Sequence, residues 1–73
     1  MSLSTNGLVK YPSGNKYWFL NGQFHREDGP AVEYSGGFKR WYLNDRKYSR
    51  EAYYKELYKR GLIDKKQLVL ELL

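Results

Sequence analysis

The sequence predicts an α+β domain, an antiparallel β-meander of short hairpins capped by one or two C-terminal helices. Three observations carry that expectation: an internal repeat of 23 residues rich in aromatic side chains, two-residue turn signals inside each copy, and a last third that changes to helical periodicity with caps. The repeat lays LVKYPSGNKYWFLNG over AVEYSGGFKRWYLND, matching Tyr11 with Tyr34, Gly14 with Gly37, Lys16 with Lys39, Trp18 with Trp41, Leu20 with Leu43 and Asn21 with Asn44. Turn residues cut these runs at PSGN, NG, REDGP, SGG and ND, which leaves about six short strands.

The dipeptide Asn21-Gly22 is a strong hairpin signal, because a two-residue type I′ turn needs positive φ at both positions; Asn44-Asp45 is the weaker copy. Loops of two residues then pair Leu20 with Gln23, Phe19 with Phe24 and Trp18 with His25, and in the second unit Leu43 with Arg46, Tyr42 with Lys47 and Trp41 with Tyr48. Alternation along each strand sorts the side chains onto two faces. One face takes Trp18, Leu20, His25, Trp41, Leu43 and Tyr48, and is expected to be the core. The other takes Tyr17, Phe19, Phe24, Arg26, Arg40, Tyr42 and Lys47, and needs a cover, a ligand or a partner.

Ser49 is a plausible N-cap for REAYYKELYKR, where Tyr53 lies over Leu57 and Tyr54 over Tyr58 at helical spacing. Gly61 behind the basic turn Lys59-Arg60 supplies the stop, so a helix is expected from about residue 50 to 60. Asp64 followed by Gln67 has the form of a capping box for a second helix with Leu68, Val69, Leu72 and Leu73 on one side, although LVLELL could also form a strand.

With 73 residues the chain holds a single domain, read as residues 7–73, with a β-repeat sheet over 7–48, a helical cap over 49–73 and a disordered start over 1–6. No cysteine is present, which excludes disulfides, thiolate zinc sites and cysteine nucleophiles. Neither an apolar run of membrane-spanning length nor a signal peptide is found, and the expected location is cytoplasmic.

His25 is the single histidine, beside Arg26, Glu27 and Asp28. One imidazole and two adjacent carboxylates make a poor metal site, and no nucleophile, oxyanion donor or phosphate cradle accompanies them. No catalytic residue, no metal and no cofactor are therefore expected, and the preferred reading is structural: His25 packs across from Trp18, and Asp28 caps backbone amides of a polar turn.

The net charge of +5 lies within residues 39 to 60, where Lys39, Arg40, Arg46, Lys47, Arg50, Lys55, Lys59 and Arg60 face Asp45, Glu51 and Glu56. Lys39, Arg40, Arg46, Lys47, Arg50 and Lys55 form the candidate partner-binding patch, and Tyr17, Phe19, Phe24 and Tyr42 the candidate aromatic face. Cations among exposed rings suit an acidic protein or single-stranded RNA or DNA, and equally a solvated face in which Lys and Arg stems shield the rings. Without an amphipathic helix carrying Trp or Phe beside Lys, a membrane surface is disfavoured. Leu68, Val69 and Leu72 are expected to close the core, while the excess leucines, Leu68, Leu70, Leu72 and Leu73, could bury a homodimer interface.

The residues WFLNGQFHREDGPAVEY and KRWYLND resemble short repeats of small phage and bacterial proteins with the pattern W-x-x-N-G-x-x-H-R-x-D-G-P-A, relatives of the MORN repeat. The first unit carries it at Trp18, Asn21, Gly22, His25, Arg26, Asp28, Gly29, Pro30 and Ala31; the second keeps Trp41 and Asn44, has Asp45 for the glycine and Tyr48 for the histidine, and leaves the pattern at YSREAYYKELYKRG. The resemblance covers about residues 8 to 60. It implies two MORN-like hairpin repeats and a non-enzymatic, phage-encoded interaction module that binds and modulates a host or defence-system protein, with RNA or single-stranded DNA binding as the alternative.

Overall fold

Six strands are followed by two helices in a computed structural model that describes residues 6–73: β1 (Gly7–Lys10), β2 (Lys16–Leu20), β3 (Gln23–Phe24), β4 (Val32–Glu33), β5 (Lys39–Leu43), β6 (Arg46–Tyr48), α1 (Arg50–Lys59) and α2 (Lys65–Leu72). The start expected to be disordered lies outside the described residues except for Asn6, whose side-chain oxygen accepts from Asn21 N at 2.8 Å. All strand pairs are antiparallel, in the order β1-β2-β4-β5-β6, with β3 also on β2. Both β3 and β4 lie on the same edge of β2, β3 beside Phe19 and Leu20 and β4 beside Lys16 and Tyr17.

The expected registers are present: Phe19 opposes Phe24, Leu20 opposes Gln23, and Trp41, Tyr42 and Leu43 oppose Tyr48, Lys47 and Arg46. They follow from turns whose two central residues are left-handed, with φ of 52° and 78° at Asn21 and Gly22 and 51° and 66° at Asn44 and Asp45. Valine at position 21 would place a β-branched side chain in that region. Asn21→Val is expected to lower stability by about 1–2 kcal/mol, read as a shifted urea midpoint; an unchanged midpoint would contradict the turn geometry.

Wider turns join β1 to β2 and β4 to β5. Tyr11 N donates to Asn15 O at 3.0 Å and Gly14 N to Tyr11 O at 2.9 Å, while Tyr34 N donates to Phe38 O at 2.8 Å and Gly37 N to Tyr34 O at 2.9 Å. The two turns lie side by side, since Asn15 Oδ1 accepts from Ser35 N at 2.9 Å and a Cβ on Gly14 would come within 3.1 Å of Ser35 Cβ.

Both helices begin where their caps are. Ser49 Oγ accepts from Ala52 N at 3.1 Å and Asp64 Oδ1 from Gln67 N at 2.8 Å, and Gly61 with φ 76° ends the first helix. Helix α1 packs on β5 and β6, and its Tyr53, Tyr54 and Leu57 bury Leu43, with Trp41, Tyr48, Ile63, Leu68 and Leu72 around them. Burial, and secondly the Glu71 carboxylate, push the Tyr54 hydroxyl above its usual pKa. Buried Trp41 Nε1 makes no hydrogen bond of ordinary geometry, yet the indole lies near enough to favour the ionised Tyr54.

Four expectations change. Leu20 is 39 % exposed rather than core, because the helices cover the second hairpin and not β2. Arg26 leaves the Tyr17 face: strand alternation stops with β3, and its guanidinium lies 3.8 Å from the Trp18 ring centroid, donating to Asp28 Oδ1 at 2.8 Å, Glu33 Oε2 at 2.9 Å and Pro30 O at 3.1 Å. Asp28 thus serves Arg26 rather than capping backbone amides. In α2 it is Leu68 and Leu72 that reach the core, while Val69, Leu70 and Leu73 are exposed, the last by 91 %.

Candidate partner-binding face

With α1 on the Trp41 and Leu43 side, the opposite face of the sheet carries no helix among the described residues. Opposed residues of neighbouring antiparallel strands share a face, so the register fixes its composition. One row across the strands is Val9, Tyr17, Val32 and Arg40; the next holds Gly7, Phe19 and Phe24, with Tyr42 and Lys47 beyond them. In phase with the first row, Tyr11 and Tyr34 extend the face into the wide turns, as does Phe38.

The rings touch in a continuous network. Centroid separations are 5.2 Å for Tyr11 and Tyr17, 5.9 Å for Tyr17 and Phe24, 5.0 Å for Phe19 and Phe24, 5.1 Å for Phe24 and Tyr42, and 6.5 Å for Tyr17 and Tyr34. Interplanar angles of 89° between Tyr11 and Tyr17 and 31° between Tyr17 and Phe24 make the surface corrugated rather than flat. A groove of about 240 Å³ runs between Tyr11, Ser13, Asn15, Tyr17, Phe19 and Phe24. The four aromatic residues singled out in the sequence are therefore together, Tyr11 and Tyr34 join them, and Phe38 lies on the same face. Their signal was available: Tyr11 and Tyr34 are repeat partners in phase with Val9 and Val32.

The basic patch does not form one surface. Register puts Arg40 and Lys47 on the aromatic face and Lys39 and Arg46 on the other, where Arg46 lies 5.3 Å from the Tyr48 ring. Arg50 bonds to the Glu71 carbonyl, and Lys55 pairs with Glu51 at 3.0 Å along α1. Arg60 pairs with Glu56 at 2.8 Å, and this bond, ahead of nearby charge, holds the Glu56 carboxyl below its ordinary pKa. Ion pairs among the described residues thus engage Arg50, Lys55 and Arg60 on the helical side and Arg26 over Trp18, and none engages Arg40 or Lys47. The single acidic strand residue, Glu33, opposes Lys16 and Lys39 on the far face. Two cations therefore border a field of rings with no carboxylate among its strand positions.

His25 is 8 % exposed and joins the two hairpins. Its Nδ1 accepts from Asn44 N at 3.0 Å, so the neutral ring carries its proton on Nε2 and donates it to Glu27 Oε2 at 2.8 Å. Asp45 Oδ1 accepts from Phe24 N at 2.7 Å, and Asp45 N donates to Phe24 O at 2.9 Å, which seats β3 on the second turn. These side chains are occupied in holding backbone. No cluster among the described residues has the composition of a metal site.

No protein-family model matches the chain, and neither a curated protein nor a solved structure is similar to it. No helix among the described residues is long and apolar enough to cross a membrane.

Proposed function

We propose that this protein is a non-enzymatic interaction module that engages a partner protein through the uncovered face of its sheet. The observation that carries the reading is the division of the sheet: α1 covers the Trp41 and Leu43 side, while the other side presents Tyr11, Tyr17, Phe19, Phe24, Tyr34, Phe38 and Tyr42 beside Arg40 and Lys47, neither of which is in an ion pair among the described residues, although Arg40 Nη1 donates to Lys39 O at 2.9 Å. Rings that are half-buried at Tyr17, Phe19, Phe24 and Tyr42 and exposed at Tyr11, Tyr34 and Phe38 form a contiguous apolar patch of the kind that marks a surface with an occupant, and aromatic residues with arginine are what protein interfaces concentrate. An apolar partner surface with acidic residues at its margin is complementary.

The sheet itself is read as two 23-residue hairpin units of the MORN type. Matching backbone supports that reading, with φ of 96° and 95° at Gly14 and Gly37 and 52° and 51° at Asn21 and Asn44. The resemblance adds a host or defence-system protein as the partner class, modulated by binding.

Single-stranded nucleic acid is the second reading, favoured by Phe38, 68 % exposed and two positions from Arg40 on the same face. Against it, the central rings are already packed on one another. A base inserted between two rings needs about 7 Å, twice the van der Waals contact distance, and neighbouring centroids here stand 5.0–6.5 Å apart.

Tagged protein incubated with nuclease-treated lysate is expected to retain a stoichiometric protein, and the double variant Arg40→Glu, Lys47→Glu to weaken that retention at least tenfold with an unchanged melting temperature. Retention by the variant at wild-type level would sink the reading. Binding to oligonucleotides, with a salt slope that falls by about one for each of the two cations removed, would replace it with the second.

A further inference from the structure

The aromatic groove has features that select among protein partners. Its volume of about 240 Å³ lies below the roughly 300 Å³ at which small-molecule sites begin, and it is a surface groove rather than an enclosure. Its walls are the Tyr11 ring, at 89° to Tyr17, and the rings of Tyr17, Phe24 and Phe19, tilted by 31° and 28° to one another, which form a cleft beside a ridge rather than a flat platform. Polar groups stand along the same groove. Asn15 Nδ2 donates to the Tyr17 hydroxyl at 3.3 Å, which leaves the phenolic proton for an acceptor outside, and Ser13 and Tyr11 line the same groove. None of the lining residues is charged.

We propose that this groove binds a proline-rich segment in the polyproline II conformation, oriented by an acidic residue on Arg40 or Lys47. The proposal rests on the protein-partner reading above and names the partner's chemistry. A polyproline II chain makes no internal hydrogen bonds, so its carbonyls need donors, and its pyrrolidine rings need apolar clefts; a groove of rings interspersed with hydroxyl and amide donors supplies both. Its stiffness also limits the entropy lost on docking, which matters on a shallow surface. Arg40 lies two strands from Tyr17 in the same row, about 10 Å at the usual strand spacing. That is about three residues of polyproline II at its rise of roughly 3.1 Å. The acidic residue is accordingly placed about three positions from the proline seated against Tyr17, and the absence of carboxylates among the strand positions of this face leaves it unopposed.

The test uses the full chain, labelled with ¹⁵N, titrated to millimolar concentration with a synthetic ten-residue peptide of consecutive prolines ending in two glutamates. The expected result is saturable shifts confined to residues 11–24 and 38–47. Tyr17→Ala should weaken binding at least tenfold, and Arg40→Glu about fivefold for this peptide but not for the same prolines ending in two glutamines. Because Tyr17 is half-buried, Tyr11→Ala serves as a second variant at an exposed ring, with at least threefold weakening expected. Three outcomes overturn the proposal: equal binding of a peptide with glycines for the prolines, shifts on the helical side instead of the groove, or no shift at millimolar peptide. Saturable stacking shifts at these rings with a dT10 oligonucleotide, and none with the peptide, would also overturn it, in favour of nucleic acid. The two readings fail separately, since loss of a lysate protein from the Arg40→Glu, Lys47→Glu variant would leave the face as an interface even where the proline peptide does not bind.

Discussion

Truncation of Leu43 to alanine is expected to lower the unfolding free energy by about 2–5 kcal/mol, and Leu20→Ala to change it by less than about 1 kcal/mol. The two leucines hold equivalent places in the 23-residue repeat, each closing a strand just before its two-residue turn. Their surroundings differ completely: Leu43 is fully buried beneath Tyr53, Tyr54 and Leu57, whereas Leu20 lies beyond the reach of the helices. A chain of 73 residues has roughly 4–11 kcal/mol of stability to lose, so Leu43→Ala removes a large share of it and populates unfolded molecules at moderate urea. Denaturant melts of the two variants side by side decide the point. Equal losses would mean that the helices cover both hairpins alike on the Trp18 and Trp41 side.

That asymmetry marks the boundary of what the sequence made legible. Ser49, Gly61 and Asp64 act within a few residues of themselves, and Asn21-Gly22 sets a register through its own backbone, so the helix limits and strand pairings could be read locally. Sorting of Tyr17, Phe19, Phe24 and Tyr42 onto one side also follows from alternation alone. The side on which α1 lands is a tertiary choice, made by Tyr53 and Leu57 meeting Leu43 across the link after β6, and no local signal encodes it. The same limit explains Arg26. Alternation extrapolated through the end of a two-residue strand put it among the aromatic residues, whereas the guanidinium finds the Trp18 ring, two carboxylates and a carbonyl on the other side. The basic patch divided for a related reason: a run of cations in sequence passes over both faces of a hairpin and around a helix, and the helix supplies its own acids.

Replacing Tyr53 by phenylalanine is expected to cost about 2–4 kcal/mol, although no ring contact is lost. The Tyr53 hydroxyl donates to the Arg26 carbonyl and accepts from Gly29 N at 3.3 Å, so one buried phenol ties the 25–30 loop, with the Arg26 lid over Trp18, to the helix. Removal of the oxygen leaves a buried carbonyl and a buried N–H without partners, each worth about 1–3 kcal/mol. Burial, ahead of every other influence, pushes the Tyr53 pKa from 10.0 to about 12. Between those two values the unfolded chain has released the phenolic proton while the folded chain keeps it. Stability therefore is fully present below pH 10 and falls as pH rises towards 12, by an amount on the order of 2 kcal/mol for this group. Tyr54, shifted in the same direction, adds to the slope. In Tyr53→Phe the alkaline slope becomes shallower even though the neutral-pH stability is lower, so the two profiles converge as pH rises, a pattern that loss of packing alone does not produce. Urea melts at pH 8, 10 and 11.5 on both proteins measure it, and parallel pH profiles would show that Tyr53 keeps its hydroxyl in contact with water.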